Sequence, residues 1–347
     1  MAWAQRPPGA LVYYRGESAR AADAQPCGWR RPYRLEWDPA MSAHRPPIHV
    51  PLTAVFLVAG AVACFAVADA IVKFLAQHYP VPLLLFARFG LQAAATVVWL
   101  APKMRWSLVR TPQPKLQIYR AMMMIGSALC FVSALRWLPL ADATAIVYTT
   151  PILVVVLSVG LLKERMTRSR WAFVAAGFAG MLLVVRPGMS ILQGAALLAL
   201  GAAAFYALFQ ILTRKLRSED PRVTLFYPAL CGTALMALLL PFLDYNADMP
   251  WTHVGLVVLY GGVATSGHFM FILAFRHAPA SALTPYTYAQ LVWAVALGWL
   301  VFGYFPDRYA LAGITIIAAT GLVLAWHERR RALACASPED PAVADRP

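Results

Sequence analysis

Residues 131–164 read FVSALRWLPLADATAIVYTTPILVVVLSVGLLKE, and residues 271–304 read FILAFRHAPASALTPYTYAQLVWAVALGWLVFGY. Shifted by 140 positions, the two stretches agree at eight of 34 places: Phe131/Phe271, Ala134/Ala274, Arg136/Arg276, Pro139/Pro279, Thr144/Thr284, Tyr148/Tyr288, Val155/Val295 and Leu157/Leu297. An apolar bias gives some chance matches. It does not readily give the skeleton Arg-x-x-Pro-x-x-x-x-Thr-x-x-x-Tyr twice at one offset. The same shift, without a gap, pairs Ala63/Ala203, Phe65/Phe205 and Ile71/Ile211. The chain therefore reads as two copies of one unit.

The content of a unit follows from hydropathy. From residue 52 onward, apolar stretches recur at about 20 residues each, the length a helix needs to cross ~30 Å of hydrocarbon. Ten helices are expected, at roughly 52–75, 81–101, 118–136, 141–162, 170–186, 191–213, 223–243, 251–275, 282–303 and 308–327. Short connections separate them, marked by Pro80, Pro139, Pro187-Gly188, Pro221, Pro250 and Pro306. Such short links force neighbouring spans to run antiparallel. Five helices per copy is an odd number, so the second copy lies upside down in the membrane. The expected fold is an all-α polytopic membrane protein with ten transmembrane helices in two inverted five-helix repeats, 52–188 and 191–327. Repeats of this kind build secondary transporters, with the substrate near the midplane.

Composition supports the lipid setting. Of 347 residues, 60% are hydrophobic and 13% charged, against roughly half and a quarter in soluble domains. A soluble enzyme could not cover so much apolar surface, and a disordered chain would not contain it. The net charge of +14 finds its reason in topology rather than in a nucleic-acid partner. With the N-terminus inside, the inner connections and C-terminal tail hold 18 Lys and Arg, Arg120 among them. The outer connections hold three: Arg136, Arg186 and Arg308. The positive-inside rule then puts both termini in the cytoplasm of an inner-membrane protein. Residues 1–48 carry seven arginines but no apolar run of signal-peptide length. They are expected to form a disordered basic tail, with Met41 an alternative start, and 328–347 a cytoplasmic C-terminal tail. Cys27, Cys64, Cys130, Cys231 and Cys335 show no paired spacing, so neither a disulfide framework nor a metal site is expected. Oligomeric state is not legible.

Few ionisable residues fall inside the spans. Asp69 and Lys73 are four apart on the first helix and share a face. Arg88 lies on the second. A charge at the bilayer centre costs ~2.5–3.5 kcal/mol on insertion scales, so such groups face a protein interior or a wet space and pair. One reading makes Asp69, Lys73 and Arg88 a cluster along a substrate path, Arg88 binding a carboxylate or phosphate and Asp69 taking a proton. The other lets Lys73 and Arg88 snorkel to the interface while Asp69 neutralises Lys73. A second candidate set is polar and aromatic. It comprises Thr144 and Tyr148 on the fourth helix with Thr284, Tyr286, Tyr288, Gln290 and Trp293 on the ninth. Buried tyrosine hydroxyls need partners, which a ligand or cavity supplies. Pro151 and Pro285 each remove a helix hydrogen bond and provide a bend. The alternative is helix–helix hydrogen bonding and an interfacial aromatic belt. Gln92, Gln210, Tyr206 and His268 are weaker candidates. Glu164, between Lys163 and Arg165, is expected as a salt bridge or gate at a helix end. Gly177, Gly180, Gly298, Gly313 and Gly321 are expected to permit close helix contact.

No Walker A loop, His-Glu-x-x-His or Gly-x-Ser-x-Gly occurs, so no cofactor is expected. Three stretches, Ala134 to Ala143 with Pro151 and Lys163-Glu164-Arg165, Arg170-Trp171 through Val185-Arg186-Pro187-Gly188, and Ala274 to Pro285 with Phe302-Gly303, resemble EamA-type members of the drug/metabolite transporter superfamily. Where the second repeat of that family usually carries Gly-Glu, this chain has Gly303-Tyr304. The resemblance implies transport of a small-molecule substrate across the lipid bilayer without ATP, with export favoured. The expected substrate is a small amphipathic or zwitterionic metabolite, moved by alternating access with Asp69 as a site for proton coupling. Uptake of a vitamin or nucleoside-like compound is the nearest alternative. A membrane enzyme or lipid flippase is the alternative of another class, and it would need a catalytic dyad beyond Asp69/Lys73.

Overall fold

In hydrocarbon every backbone N–H and C=O must be satisfied within the protein, and a helix does this within one segment. The computed structural model describes residues 51–104, 110–162, 168–185, 192–216, 219–243, 249–278 and 280–334, and over these the regular structure is helical. In chain order the helices are α1 Leu52–Leu75, α2 Val81–Met104, α3 Pro114–Leu135, α4 Leu140–Val147, α5 Thr150–Leu162 and α6 Arg168–Val185 in the first half. The second half holds α7 Leu192–Lys215, α8 Pro221–Leu239, α9 Trp251–His277, α10 Ala280–Thr287, α11 Ala289–Phe302 and α12 Arg308–Ala334. Among the described residues, nine stretches are long and apolar enough to cross a membrane; α6 offers a shorter apolar run, Trp171–Val185. Residues 1–50 and 335–347, and Glu164 with its neighbours, lie outside the described residues, while α12 runs on to Ala334, into the expected C-terminal tail.

The fourth and ninth expected helices are not continuous. α4 gives way to α5 at Tyr148-Thr149, and α10 to α11 at Tyr288, so the breaks fall on repeat mates. The first break has a covalent cause. Pro151 has no N–H for the carbonyl of Val147. The Thr150 hydroxyl donates to that carbonyl instead, at 2.6 Å, and the Thr149 hydroxyl donates to Ile146 O, also at 2.6 Å. At the second break the ladder tightens to i→i+3 bonds: Tyr288 N–H to Pro285 O at 3.3 Å and Leu291 N–H to Tyr288 O at 3.0 Å. Pro285 itself lies inside α10.

The halves pack crosswise. α1 lies on α9 and α3 on α7; α2 lies on α8, α4 on α11 and α6 on α12. Exchanging the halves maps α1–α9 onto α7–α3 and α2–α8 and α6–α12 onto themselves, which is the contact pattern of a two-fold arrangement; α4–α11 departs from it, since its mate α5–α10 is not among the closely packed pairs. Without a hydrophobic drive between helices in lipid, small residues set how closely they approach. At the α6–α12 crossing a Cβ on Gly313 would sit 2.6 Å from the Gly180 carbonyl oxygen. Gly177 faces Ile152, and Gly321 lies directly under the Tyr288 hydroxyl. Gly298 departs from expectation, since its nearest neighbour would be the Tyr304 carbonyl at an ordinary 3.6 Å.

Candidate functional site

A carboxylate in the middle of a membrane helix needs a donor. The donor to Asp69 on α1 comes from the other half: Gln290 Nε2 donates to Asp69 Oδ2 at 3.0 Å. The carboxylate can only accept, which orients the amide and leaves Gln290 Oε1 as an acceptor. The Tyr148 hydroxyl lies 3.0 Å from that oxygen and 2.8 Å from the Thr287 carbonyl, and its single proton serves one of them at a time. The chain Asp69–Gln290–Tyr148–Thr287 thus alternates between the two halves at every step. It runs through both helix breaks, where the ring centroids of Tyr148 and Tyr288 stand 5.3 Å apart at 59°. That is a favoured tilted aromatic contact.

Arg88 on α2 faces the same region. Its guanidinium lies 5.6 Å from the Phe89 ring centroid and within electrostatic reach of the hydroxyl of Tyr260 on α9. Tyr260 is 1% exposed. The Nε of Arg88 is buried without a hydrogen-bond partner. Asp69 lies within electrostatic reach of the guanidinium, yet its hydrogen bond goes to Gln290. Among the described residues Arg88 forms no ion pair. Around Asp69, Tyr148, Tyr206 and His268, each only partly buried, the polar groups are a cation with an open donor, a carboxylate and tyrosine hydroxyls.

Several expected site residues stand elsewhere. Lys73 does not pair with Asp69. Its Nζ donates to the carbonyls of Leu135 at 2.8 Å and Leu138 at 2.6 Å. The first of these carbonyls is open because Pro139, four residues on, has no N–H. Lys73 thus pins the α3–α4 turn to α1 rather than snorkelling. Thr144 is buried and donates to its own helix, to Leu140 O at 2.8 Å, so it packs rather than lines. Tyr286 and Trp293 are 41% and 45% exposed on the outside of the bundle, as an interfacial belt requires. The side chain of Thr284 lies outside the described ones. Pro151 lies just past the α4–α5 break and Pro285 inside α10. His268 directs Nδ1 at Ala264 O, 2.8 Å away, and sets its ring edge-on to Phe65 at 4.9 Å. Arg120, counted above among the inner connections, is 6% exposed inside α3. Sequence reasoning missed Tyr260. Its signal is the neighbouring pair Gly261-Gly262: a Cβ on Gly261 would come within 3.0 Å of Leu91, so α9 approaches α2 closely enough for Tyr260 to reach Arg88.

The EamA-like transporter family matches residues 52–186 and again 193–326. The riboflavin transporter of Vibrio cholerae is 26% identical over 289 residues, 81% of this chain and 96% of its own length. The S-adenosylmethionine uptake transporter of Rickettsia conorii is 24% identical over 222 residues, 64% of this chain and 75% of its own. The pseudopaline exporter CntI of Pseudomonas aeruginosa is 25% identical over 261 residues, 75% of this chain and 91% of its own. A solved crystal structure shares the fold with a TM-score of 0.56 at 20% identity, spanning 80% of this chain and 98% of the other.

Proposed function

The chain belongs to the EamA-like transporter family, with both halves of its membrane part matching, and from that premise we propose that it is a secondary active transporter of a small amphipathic or zwitterionic metabolite. In this reading ten spans in two inverted repeats rock about a space between them by alternating access. The protein resides in the inner membrane with both termini in the cytoplasm. The charge asymmetry of its connections supports this orientation, and the end of the bundle carrying Thr111 and Glu219 is then the cytoplasmic one.

The observation that carries the reading is the Arg88 guanidinium. It is a permanent cation at membrane depth with a buried open donor and, among the described residues, no carboxylate bonded to it. Such a group needs an anion, and a substrate carboxylate or phosphate supplies one. The guanidinium fork fixes the orientation of that group. Asp69, held apart on Gln290, takes the cationic end of a zwitterion or a proton, which makes it the coupling residue. The tilted Tyr148/Tyr288 pair and the Tyr206–Phe209 stack, 5.5 Å apart at 13°, favour a substrate with a flat apolar part.

Export is our first reading of direction. Uptake of a vitamin or nucleoside-like compound is the second, favoured by those aromatic faces, by the S-adenosylmethionine uptake transporter and by the riboflavin transporter among the relatives above. The test is flux. Purified protein is screened by ligand-induced thermal shift against a metabolite library, and hits are followed in reconstituted vesicles. Saturable, ATP-independent flux that is lost in Arg88→Ala, with insertion intact, supports the proposal. Normal flux in that variant removes Arg88 from the path.

A further inference from the structure

A cation buried at the opposite end from Lys73 is left unused by this reading. Arg120 lies two turns into α3. Its Nε donates to Thr213 Oγ1 on α7 at 2.7 Å and its Nη1 to the Thr224 carbonyl on α8 at 2.6 Å. The second acceptor exists for a covalent reason. Pro228 lies inside α8, four residues after Thr224, and has no N–H to offer that carbonyl. The guanidinium also lies 4.3 Å from the Phe209 ring centroid. Phe209 stacks on Tyr206, which feels the charge of both Arg120 and Arg88. Both acceptors belong to the second half and the donor to the first. At the same end Gln117 Nε2 donates to Thr224 Oγ1 at 3.2 Å and Thr111 Oγ1 to Glu219 Oε2 at 2.8 Å, again across the halves. Cross-half bonds stand at the other end as well. The Tyr304 hydroxyl donates to Asp142 Oδ2 at 3.3 Å, and Tyr79 shares a 2.8 Å bond with His253 Nδ1.

We propose that Arg120 is a gating residue: it latches α3 of the first half to α7 and α8 of the second, and this end of the bundle opens only when both bonds release. Its functional meaning rests on the transporter reading, but the latch itself is testable without a substrate. Hydrogen bonds to a charged donor weigh roughly tenfold to a hundredfold each in an equilibrium. Losing the donor should therefore raise the open population at this end by about tenfold or more.

The experiment is distance measurement by paired spin labels in lipid nanodiscs, on a full-length background with the native cysteines replaced. One label pair sits at positions 115 and 222, across the halves at the latched end. A control pair sits at positions 78 and 251, across the halves at the other end. Arg120→Met should add a longer-distance population to the first pair and leave the second without one. Thr213→Val should do the same more weakly, and Arg120→Lys should fall between Met and the parent. A merely structural arginine would broaden both pairs alike. Equal broadening at both ends, or an unchanged first pair in Thr213→Val and Arg120→Lys as well as Arg120→Met, overturns the proposal. If Arg120→Met does not fold, the other two variants decide. A shift at the latched end with no flux for any compound would keep the latch and sink the transporter reading; flux without the shift would do the reverse.

Discussion

Replacing Asp69 by Asn changes one thing cleanly. The Asn carbonyl oxygen can take the place of Asp69 Oδ2 and accept the same 3.0 Å bond from Gln290 Nε2, so the cross-half chain through Tyr148 survives. The charge does not. Stability should move by no more than about 1 kcal/mol, since a neutral hydrogen-bonded group replaces one that burial disfavours. The effect on coupling should be large. Among the described residues Asp69 is the carboxylate that joins the central group, while Asp142 bonds Tyr304 near a bundle end. One site gives at most one proton per substrate. A proton moving down one pH unit releases about 1.4 kcal/mol, or tenfold in a concentration ratio. Vesicles with a two-unit pH gradient should therefore drive about hundredfold accumulation of substrate in the parent. Accumulation goes to the alkaline side for symport and to the acidic side for antiport. In Asp69→Asn the gradient should drive none, while substrate exchange at equal pH persists. Gradient-driven accumulation that survives the substitution refutes the reasoning and leaves Asp69 a helix-pairing residue.

Other expectations follow from the same geometry. Arg88→Lys keeps the charge but loses the planar fork, so KM should rise roughly ten- to hundredfold by vesicle flux; an unchanged KM would mean that a point charge suffices. Lys73→Met leaves the Leu135 and Leu138 carbonyls without their donor, which should cost ~1–3 kcal/mol and lower the thermal midpoint by a few degrees. KM should not change, and a KM shift would return Lys73 to the substrate path. Gly321→Ala puts a methyl against the Tyr288 hydroxyl and should destabilise by ~1–3 kcal/mol through overpacking. Tyr288→Leu, which removes the far end of the ring, should cost less in that background than in the parent, whereas additive losses would show that the contact is not the cause.

The spans were legible because the hydrocarbon thickness writes itself into run length, and α1, Leu52–Leu75, was expected at those bounds. The repeat was legible because Tyr148 and Tyr288 sit at one offset. What that offset marked, a break in each of two helices, was hidden. A proline four residues ahead says which carbonyl loses its partner but not which side chain takes it. Facing was the weakest inference. Tyr286 and Trp293 lie within a few residues of Tyr288 and Gln290, yet rotation about the helix axis sends them to the exterior. Asp69 and Lys73 share a helix face and still take partners from different helices. Partners such as Tyr260 and Thr213 come from distant elements, and no local pattern announces them.

Prolines at 139 and 228 each leave a carbonyl that a cation, Lys73 or Arg120, has claimed. Lys73 feels the carboxylate of Asp142 as well, but Arg120 is bonded to a neutral hydroxyl and a peptide carbonyl rather than to an opposite ion, so its charge remains exposed to the membrane potential. A charge crossing the whole field does work of about 2.3 kcal/mol per 100 mV. Any rearrangement that carries Arg120 along the membrane normal would therefore be sped or slowed by voltage, even for a substrate with no net charge.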